Sequence, residues 1–544
     1  MTNQPTIANY LISQLHNAGI DHIFGVPGDY ILNFYDLLVN SPITHIGTTR
    51  EDTAAFAADG YARTKGLGAV AITYGVGALS VVNAVAGAYA ESSSVIIISG
   101  APGIDEQKDD PLIHHRFGPF NFQREIFERI TCRTAVLDDP YTALRQIDRA
   151  IAAAKYYRKP VYIELPRDMS DVPGFVTPKE TEKVKQSNPA ALDEAVNEVL
   201  GLINKAEQPV ILAGVEAHRL GLQNEVADFV IKSNIPVAAT LTGKSVVGER
   251  HPGYLGIYEG AMGEGDTRKY VEESDLLLMF GIILNDVDTG IYTANFDPNC
   301  IVRASHNEVI VQHHRFPDVT LGDFILALSE KIERKSNSWP SFAKYIPITD
   351  FPKLNQKMTI SRLIDRINAG LTPEMTVVAD VGDCLFSSLE LRVHERTEFI
   401  ASAFYTSMGF SVPAALGAQV ACPKRRTLVL IGDGAFQMTG TEIATHADLK
   451  LNTIVIVFNN KGYSTERFLL EGPFNDIPNW NYDKLGEVMG PIEGFSINTE
   501  EEFETAWLEA IEIKHRPSIL NVHLRSDDPS PAMRRLTDSL SKKV

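Results

Sequence analysis

Short apolar runs that stop at a glycine with an acid or amide, each separated from the next by a helical pattern, constrain this chain more than any other feature. The clearest pair lies between Leu428 and Glu466. Leu428 to Ile431 reads as a buried strand that delivers Gly432-Asp433-Gly434 at its end, and Ile454 to Phe458 as a second one ending in Asn459-Asn460-Lys461-Gly462. The interval between them suffices for a crossover helix, so the two strands are predicted to be parallel neighbours with Asp433 and Asn460 side by side at their carboxyl ends. Open α/β sheets bind ligands at that edge. One carboxylate, one amide carbonyl and the loop carbonyl of Gly462 form a hard oxygen set suited to Mg²⁺, and two ordinary strand-to-helix turns would use the same residue types.

At 544 residues the chain exceeds a single core, and roughly three or four domains are expected. Hydrophobic content of 44% with 22% charged residues fits a globular protein without membrane spans. A net charge of −19 argues against nucleic acid and anionic membranes as partners. Cys132, Cys300, Cys384 and Cys422 are scattered with no C-x-x-C pair, which suggests neither a zinc site nor a disulfide framework and fits a reducing cytoplasm. The first residues enter a helical pattern at once and resemble no cleavable signal.

The amino-terminal third repeats the alternation. Ile7, Leu11, Ile12 and Leu15 share a helical face between Thr6 and Ala18. His22 to Val26 reads as a strand ending in Gly25-Val26-Pro27-Gly28-Asp29-Tyr30, which puts Asp29 at a strand end. After a strand from Ile43 to Thr48, the small-residue helix Asp52 to Lys65 follows Glu51, whose carboxylate there suits helix-dipole or capping duty. Ala69 to Tyr74, Val95 to Ile98 and Val161 to Leu165 complete a doubly wound parallel sheet. His114-His115 lies in the polar loop Pro102 to Gln123, where both imidazoles can line a cleft and carry protons, or both be solvated.

Asp171 to Ala190 and Lys331 to Asp350 read as linkers, so three α/β units are expected, at 1–180, 190–335 and 355–544. The middle unit has strands near Val210, Val237, Leu276 and Cys300, no G-x-G-x-x-G fingerprint, and no legible function; His313-His314 is taken as surface. In the last unit Val377 to Asp380 is a strand ending in Gly382-Asp383-Cys384, Phe404 to Gly409 leads into a Gly/Ala-rich helix, and Ser518 to Leu524 is the final strand. The first and third units share one plan of acids and glycines at strand ends.

Taken together, these motifs resemble a known group. Gly432-Asp433-Gly434 followed by Asn459-Asn460 is similar to the thiamine-diphosphate fold signature. Gly25-Val26-Pro27-Gly28-Asp29, Glu51 before Ala57-Ala58-Asp59-Gly60-Tyr61-Ala62-Arg63, Thr73-Tyr74-Gly75-Val76-Gly77, His114-His115 and Gly462-Tyr463-Ser464-Thr465-Glu466 extend the resemblance over the whole chain. The set resembles the 2-oxo acid decarboxylases of the pyruvate, indolepyruvate and phenylpyruvate decarboxylase type. That resemblance implies a pyrimidine-binding, a central and a diphosphate-binding domain, with thiamine diphosphate and Mg²⁺ held between two subunits of a homodimer at minimum, and of a homotetramer in many relatives. It further implies that Glu51 bonds the pyrimidine, that the Thr406 carbonyl binds its amino group, and that Met408 wedges the cofactor into a bent form. Gly432, Asp433, Gly434, Ala435, Asn460 and Gly462 would hold the diphosphate end, with Asp433, Asn460 and Gly462 on the metal. Asp29, His114, His115, Glu51 and Glu466 would be the catalytic set. The expected reaction is loss of carbon dioxide from a 2-oxo acid, the thiazolium ring accepting the charge and the aldehyde leaving.

Asp383-Cys384-Leu385-Phe386 departs from the Thr or Ser often found there and resembles the phenylpyruvate decarboxylase branch; the role of Asp383 stays open. Leu385 and Thr465 are expected at the substrate side chain, and aromatic, branched or medium-length acids are expected over pyruvate. Glu216-Ala217 stands where some yeast-type enzymes carry activator cysteines, so thiol-linked activation is not expected. A carboligase making 2-hydroxy ketones keeps the same cofactor, and a non-catalytic or nicotinamide-binding α/β protein is the reading from another class. The missing dinucleotide fingerprint and the intact acid and histidine set weigh against the latter.

Overall fold

The computed structural model describes residues 4–175, 186–336, 339–340, 342, 355–394 and 398–541, which build three sheets. The first contains β1 (His22–Gly25), β2 (Thr44–Gly47), β3 (Gly68–Ile72), β4 (Val95–Ala101), β5 (Arg133–Val136) and β6 (Val161–Pro166), all parallel, in the order β2-β1-β3-β4-β6-β5. The second contains β7 (Pro209–Ala213), β8 (Val237–Ala239), β9 (Tyr254–Ile257), β10 (Leu276–Phe280), β11 (Ile301–Ser305), β12 (Glu308–Val311) and β13 (His314–Pro317). Its order is β13-β12-β11-β10-β7-β8-β9. The third contains β14 (Met375–Ala379), β15 (Glu398–Ala401), β16 (Arg426–Gly432), β17 (Ile454–Asn459), β18 (Glu493–Ile497) and β19 (Ser518–His523), all parallel, in the order β15-β14-β16-β17-β19-β18. Central strands such as β3, β4, β16 and β17 are buried almost throughout, because helices cover both faces of a parallel sheet and the sequence there is accordingly apolar without alternation.

The expected doubly wound parallel plan therefore holds, with local corrections. The middle sheet is mixed: β11-β12-β13 is an antiparallel meander at its edge, and the exposed pair His313-His314 sits there, His314 bonding Glu198 at 2.9 Å. The edge strands β5, β15 and β18 were not expected, since each is only partly apolar. The crossover after β16 is two short helices, Asp433–Thr439 and Ile443–Asp448, because Thr439, at φ −140°, leaves the helical geometry and a tight turn over Gly440–Glu442 follows. Pro189, assigned to a linker, is instead the first residue of the helix Pro189–Lys205, capped by Asn188. Residues 176–185 and most of 337–354, the bulk of the two expected linkers, lie outside the described residues.

The first and third units meet through two helices, Glu51–Lys65 and Ser411–Ala421. Their backbones cross so closely that a Cβ on Gly60 would stand 2.1 Å from the Ala414 carbonyl, and one on Gly417 would stand 1.8 Å from the Ala57 carbonyl. The run of alanines seen in the sequence is the requirement for that approach. Arg63, buried with Asp59 and Glu91, adds a 2.8 Å bond to the Ala401 carbonyl across the same boundary. Among the described residues no helix is long and apolar enough to cross a membrane.

Candidate active site

β16 and β17 are parallel neighbours with Gly432 opposite Phe458, so Asp433 and Asn460 emerge at the same edge. Asp433 is 2% exposed; its Oδ1 accepts from the Gly434 N–H at 2.8 Å and its Oδ2 from the Lys461 N–H at 2.6 Å. Burial pushes this carboxyl up to about 6 in spite of the backbone donors around it. The Oδ1 atoms of both asparagines are buried without a partner. Asn459 uses its amide N–H to donate to Asn521 at 2.9 Å, tying β17 to β19, and Asn460 is the one that leaves the strand at the same edge as Asp433. Gly462 is buried beside them and forms a bridge with Asp476. A destabilised buried carboxylate next to an orphaned amide oxygen is a donor set that a divalent cation satisfies, so the residues present fit Mg²⁺. Nothing stands within 4 Å of a Cβ built on Gly432, which leaves room beside this set for a phosphate group.

The turn carrying Thr406 and Met408 is held from below. Asp380, fully buried at the end of β14, accepts from the Gly409 and Ser411 N–H groups at 2.9 and 2.8 Å. Glu91 accepts from the Phe404 and Tyr405 N–H groups, both at 2.9 Å. Thr406 has a left-handed φ of 55° and is exposed, and Met408 is half-buried against the interunit core. Neither Glu91 nor Asp380 was assigned a role from the sequence, and no local pattern marks them, since their partners lie elsewhere in the chain.

At the first sheet, Asp29 follows β1 and meets the histidine loop. His114 Nε2 lies 2.7 Å from Asp29 Oδ2, and its ring stacks on Tyr30 with centroids 4.9 Å apart. His115 has φ of 65°, a conformation that turns its ring back towards His114, 4.8 Å away and edge-on. One ligand atom from each of Asp29, His114 and His115 falls within 4.8 Å of the others. Gly75, itself at φ 65°, makes this possible: a Cβ there would be 2.3 Å from the His115 carbonyl oxygen. The Nδ1 of His115 is buried with no partner. Arg167, read from sequence only as a domain end, reaches Asp29 at 3.7 Å and pairs with Glu106. Glu51 lies in the first turn of its helix, not before it, and its Oε1 is 3.5 Å from where a Gly77 Cβ would be.

The remaining expected residues are placed less uniformly. Thr465 is half-buried near Gly382 and Glu466 is exposed, on the helix Ser464–Leu469. Leu385 is fully buried in the core. Among the described residues no hydrogen bond or ion pair joins Asp29, Glu51, His114 or His115 to Asp433, Asn460 or Glu466. The two groups thus stand at the edges of different sheets, each a candidate half-site.

Three α/β units with an acid-and-amide edge on the last and an acid-and-histidine edge on the first define a thiamine-pyrophosphate enzyme. Family models agree along the chain: the thiamine pyrophosphate enzyme N-terminal TPP binding domain matches residues 5–125, the central domain 196–331 and the C-terminal TPP binding domain 380–522. Among curated proteins the chain is 32% identical over 538 residues to a probable pyruvate decarboxylase of Schizosaccharomyces pombe, covering 96% of this chain and 94% of the relative. It is 35% identical over 507 residues to indole-3-pyruvate decarboxylase of Azospirillum brasilense, 92% of each chain. It is 33% identical over 532 residues to an alpha-keto-acid decarboxylase of Mycolicibacterium paratuberculosis, 95% of this chain and 94% of the relative. The chain belongs to the thiamine-pyrophosphate-dependent enzymes and, within them, to the 2-oxo acid decarboxylases.

Proposed function

We propose that this protein converts a 2-oxo acid to the aldehyde and carbon dioxide, in the manner of the phenylpyruvate decarboxylase branch, and that aromatic, branched or medium-chain acids suit it better than pyruvate. The observation that carries the reaction is the convergence of Asp29, His114 and His115 at the first sheet's edge in a chain whose third sheet offers Asp433 and Asn460. The names of the relatives support the same chemistry.

Thiamine diphosphate, when bound, supplies the sink for the electron pair left as carbon dioxide departs. The chain's own residues do the rest. Asp433, Asn460 and the Gly462 carbonyl would hold Mg²⁺, and Gly432, Gly434 and Ala435 would line the diphosphate end, with open space at the Cβ position of Gly432. Glu51 would bond the pyrimidine end, the Thr406 carbonyl would accept from its amino group, and Met408 would wedge the cofactor into the bent form that brings its reacting groups together. Asp29 Oδ2 and His114 Nε2 share a proton across 2.7 Å, and the orphaned Nδ1 of His115 stands ready to take or give another. Glu466, exposed on its helix, completes the proton-handling group from the opposite half-site.

Because no hydrogen bond or ion pair joins the two half-sites among the described residues of one chain, we infer that the working site is assembled between two copies, with a homodimer the minimum and a homotetramer the favoured form. Val76, Leu79 and Met438 support this, being exposed apolar residues on the elements beside the two half-sites. The units 1–180, 190–335 and 355–544 then serve as pyrimidine-binding, central and diphosphate-binding domains. Four free cysteines support a cytoplasmic setting. The substrate preference is supported by aromatic surface near Thr465: Phe386 and Phe468, both half-buried, pack on Met262, Met533 and Leu536.

Aldehyde and carbon dioxide release should be measured across pyruvate, a branched-chain 2-oxo acid, phenylpyruvate and indolepyruvate, with Mg²⁺ and thiamine diphosphate present. Release from the larger acids with higher kcat/KM than from pyruvate is expected. A 2-hydroxy ketone as the sole product would move the protein to the carboligases.

A further inference from the structure

Asp383 opens the short helix Asp383–Ser387 and is 4% exposed. Its Oδ2 accepts from the Ser530 N–H at 2.8 Å, across 147 residues of sequence, while its Oδ1 is buried with no partner. Ser530 is fully buried and immediately precedes the C-terminal helix Pro531–Ser541. A carboxylate taken out of water against one partner residue, whose N–H and hydroxyl both favour its charged form, is costly, so its placement here is a demand of the structure and not a by-product of surface packing. Asp528 and Arg534, on the segment packed against it, are the charged groups that face it.

The helix so anchored does specific packing. Met533 and Leu536 form an apolar cluster with Met262 of the middle unit, and Phe386 and Phe468 pack against that cluster. Arg535 adds a 2.8 Å bond to the Met262 carbonyl and a salt bridge to Glu390. Phe386 lies on the same short helix as Asp383, one turn on. Acid and aromatic therefore sit at the two ends of one contact: Asp383 fixes where the C-terminal helix begins, and that helix backs the aromatic surface.

We propose that Asp383 is a positioning residue that latches the C-terminal helix behind Phe386 and Phe468 and thereby sets the affinity for 2-oxo acids with bulky side chains. The latch stands on the geometry; the affinity half rests on the substrate reading given above. Burial pushes the Asp383 carboxyl from an ordinary 3.8 up to about 6. The docked helix then keeps a proton that the undocked one gives up, so docking weakens as pH rises from about 4 to about 6.

The test uses the full-length holoenzyme with Mg²⁺ and thiamine diphosphate, comparing wild type with Asp383→Ala and Asp383→Asn. Amide exchange in residues 532–541 should quicken about tenfold in the alanine variant, and the KM for phenylpyruvate should rise about tenfold while that for pyruvate stays within about twofold. Asparagine keeps the acceptor oxygen and removes the buried charge, so it should restore both values and abolish the pH dependence of exchange. Should the alanine variant not fold, Asp383→Ser, too short to reach Ser530, takes its place. Unchanged exchange in the alanine or serine variant overturns the latch. Faster exchange with KM raised equally for both acids overturns the affinity role. If the wild type decarboxylates neither acid, the substrate reading fails while the exchange measurements still decide the latch.

Discussion

The first and third sheets have the same strand order, second-first-third-fourth-sixth-fifth within each, and present opposite chemistry at the same edge. At the third, oxygen atoms are buried and either satisfied by backbone N–H groups or orphaned, as Asp433 and Asn460 are. At the first, Asp29 and His114 have side chains 39% and 59% exposed, ready for a substrate and for water. One topology thus carries, in the proposed function, a cofactor anchor at one sheet and a proton-handling group at the other. What separates them is which side chains stand at the strand ends, and how deeply the following turn buries them.

The sharpest way to break that division is to alter each half alone. Glu51→Gln should cut turnover by about a thousandfold, the range of a lost acid–base group, while Mg²⁺-dependent binding of thiamine diphosphate by calorimetry stays within a few-fold. Turnover close to wild type would remove Glu51 from the chemistry. Asp433→Ala should do the reverse, weakening metal-dependent cofactor binding by about a hundredfold with turnover largely recovered at saturating Mg²⁺ and cofactor. If cofactor binds normally to that variant, the third sheet is not the anchor.

The helix crossing that joins the two units gives a third measure. Gly417→Val puts side-chain carbons against the Ala57 carbonyl, and chemical denaturation should show a loss of roughly 2 to 3 kcal/mol. The smallest effect concerns acid. His446, fully buried in the third unit between Thr453 and the Val412 carbonyl, is held down to about 4 from 6.5 by burial. The unfolded chain takes up a proton below 6.5 that the folded one refuses, so stability present above that pH is lost as pH falls towards 4. The loss should be on the order of 2 kcal/mol between pH 6.5 and about pH 5, and His446→Gln should flatten that slope.

Much of the architecture was legible because it is written locally. Buried parallel strands are continuous apolar runs, and Gly432-Asp433 or Gly28-Asp29 mark their ends by turn chemistry. Edge strands β5 and β18 are not marked in the sequence because they are largely half-exposed, and β15 because it is only four residues long; all three open on or carry a charge, Arg133, Glu493 and Glu398, so neither periodicity nor composition sets them apart. Glu51 was ambiguous as residues alone, a carboxylate at a helix start being ordinary; only the company of the other motifs gave it a role. Arg167, Glu91 and Asp380 were missed for a different reason, since each is defined by a partner far along the chain.

By itself the sequence determined three α/β units, the strand ends, and the acids, amides and histidine pair placed at or near them, because period, burial and turn preference act over a few residues. Tertiary structure decided the rest: that Asn459 is tied to Asn521 by its amide N–H, that a left-handed His115 brings adjacent imidazoles to one carboxylate, and that Asp383 reaches Ser530. Those outcomes depend on which distant backbone groups arrive with unmet hydrogen bonds, and that is settled only when the sheets and their covering helices close together.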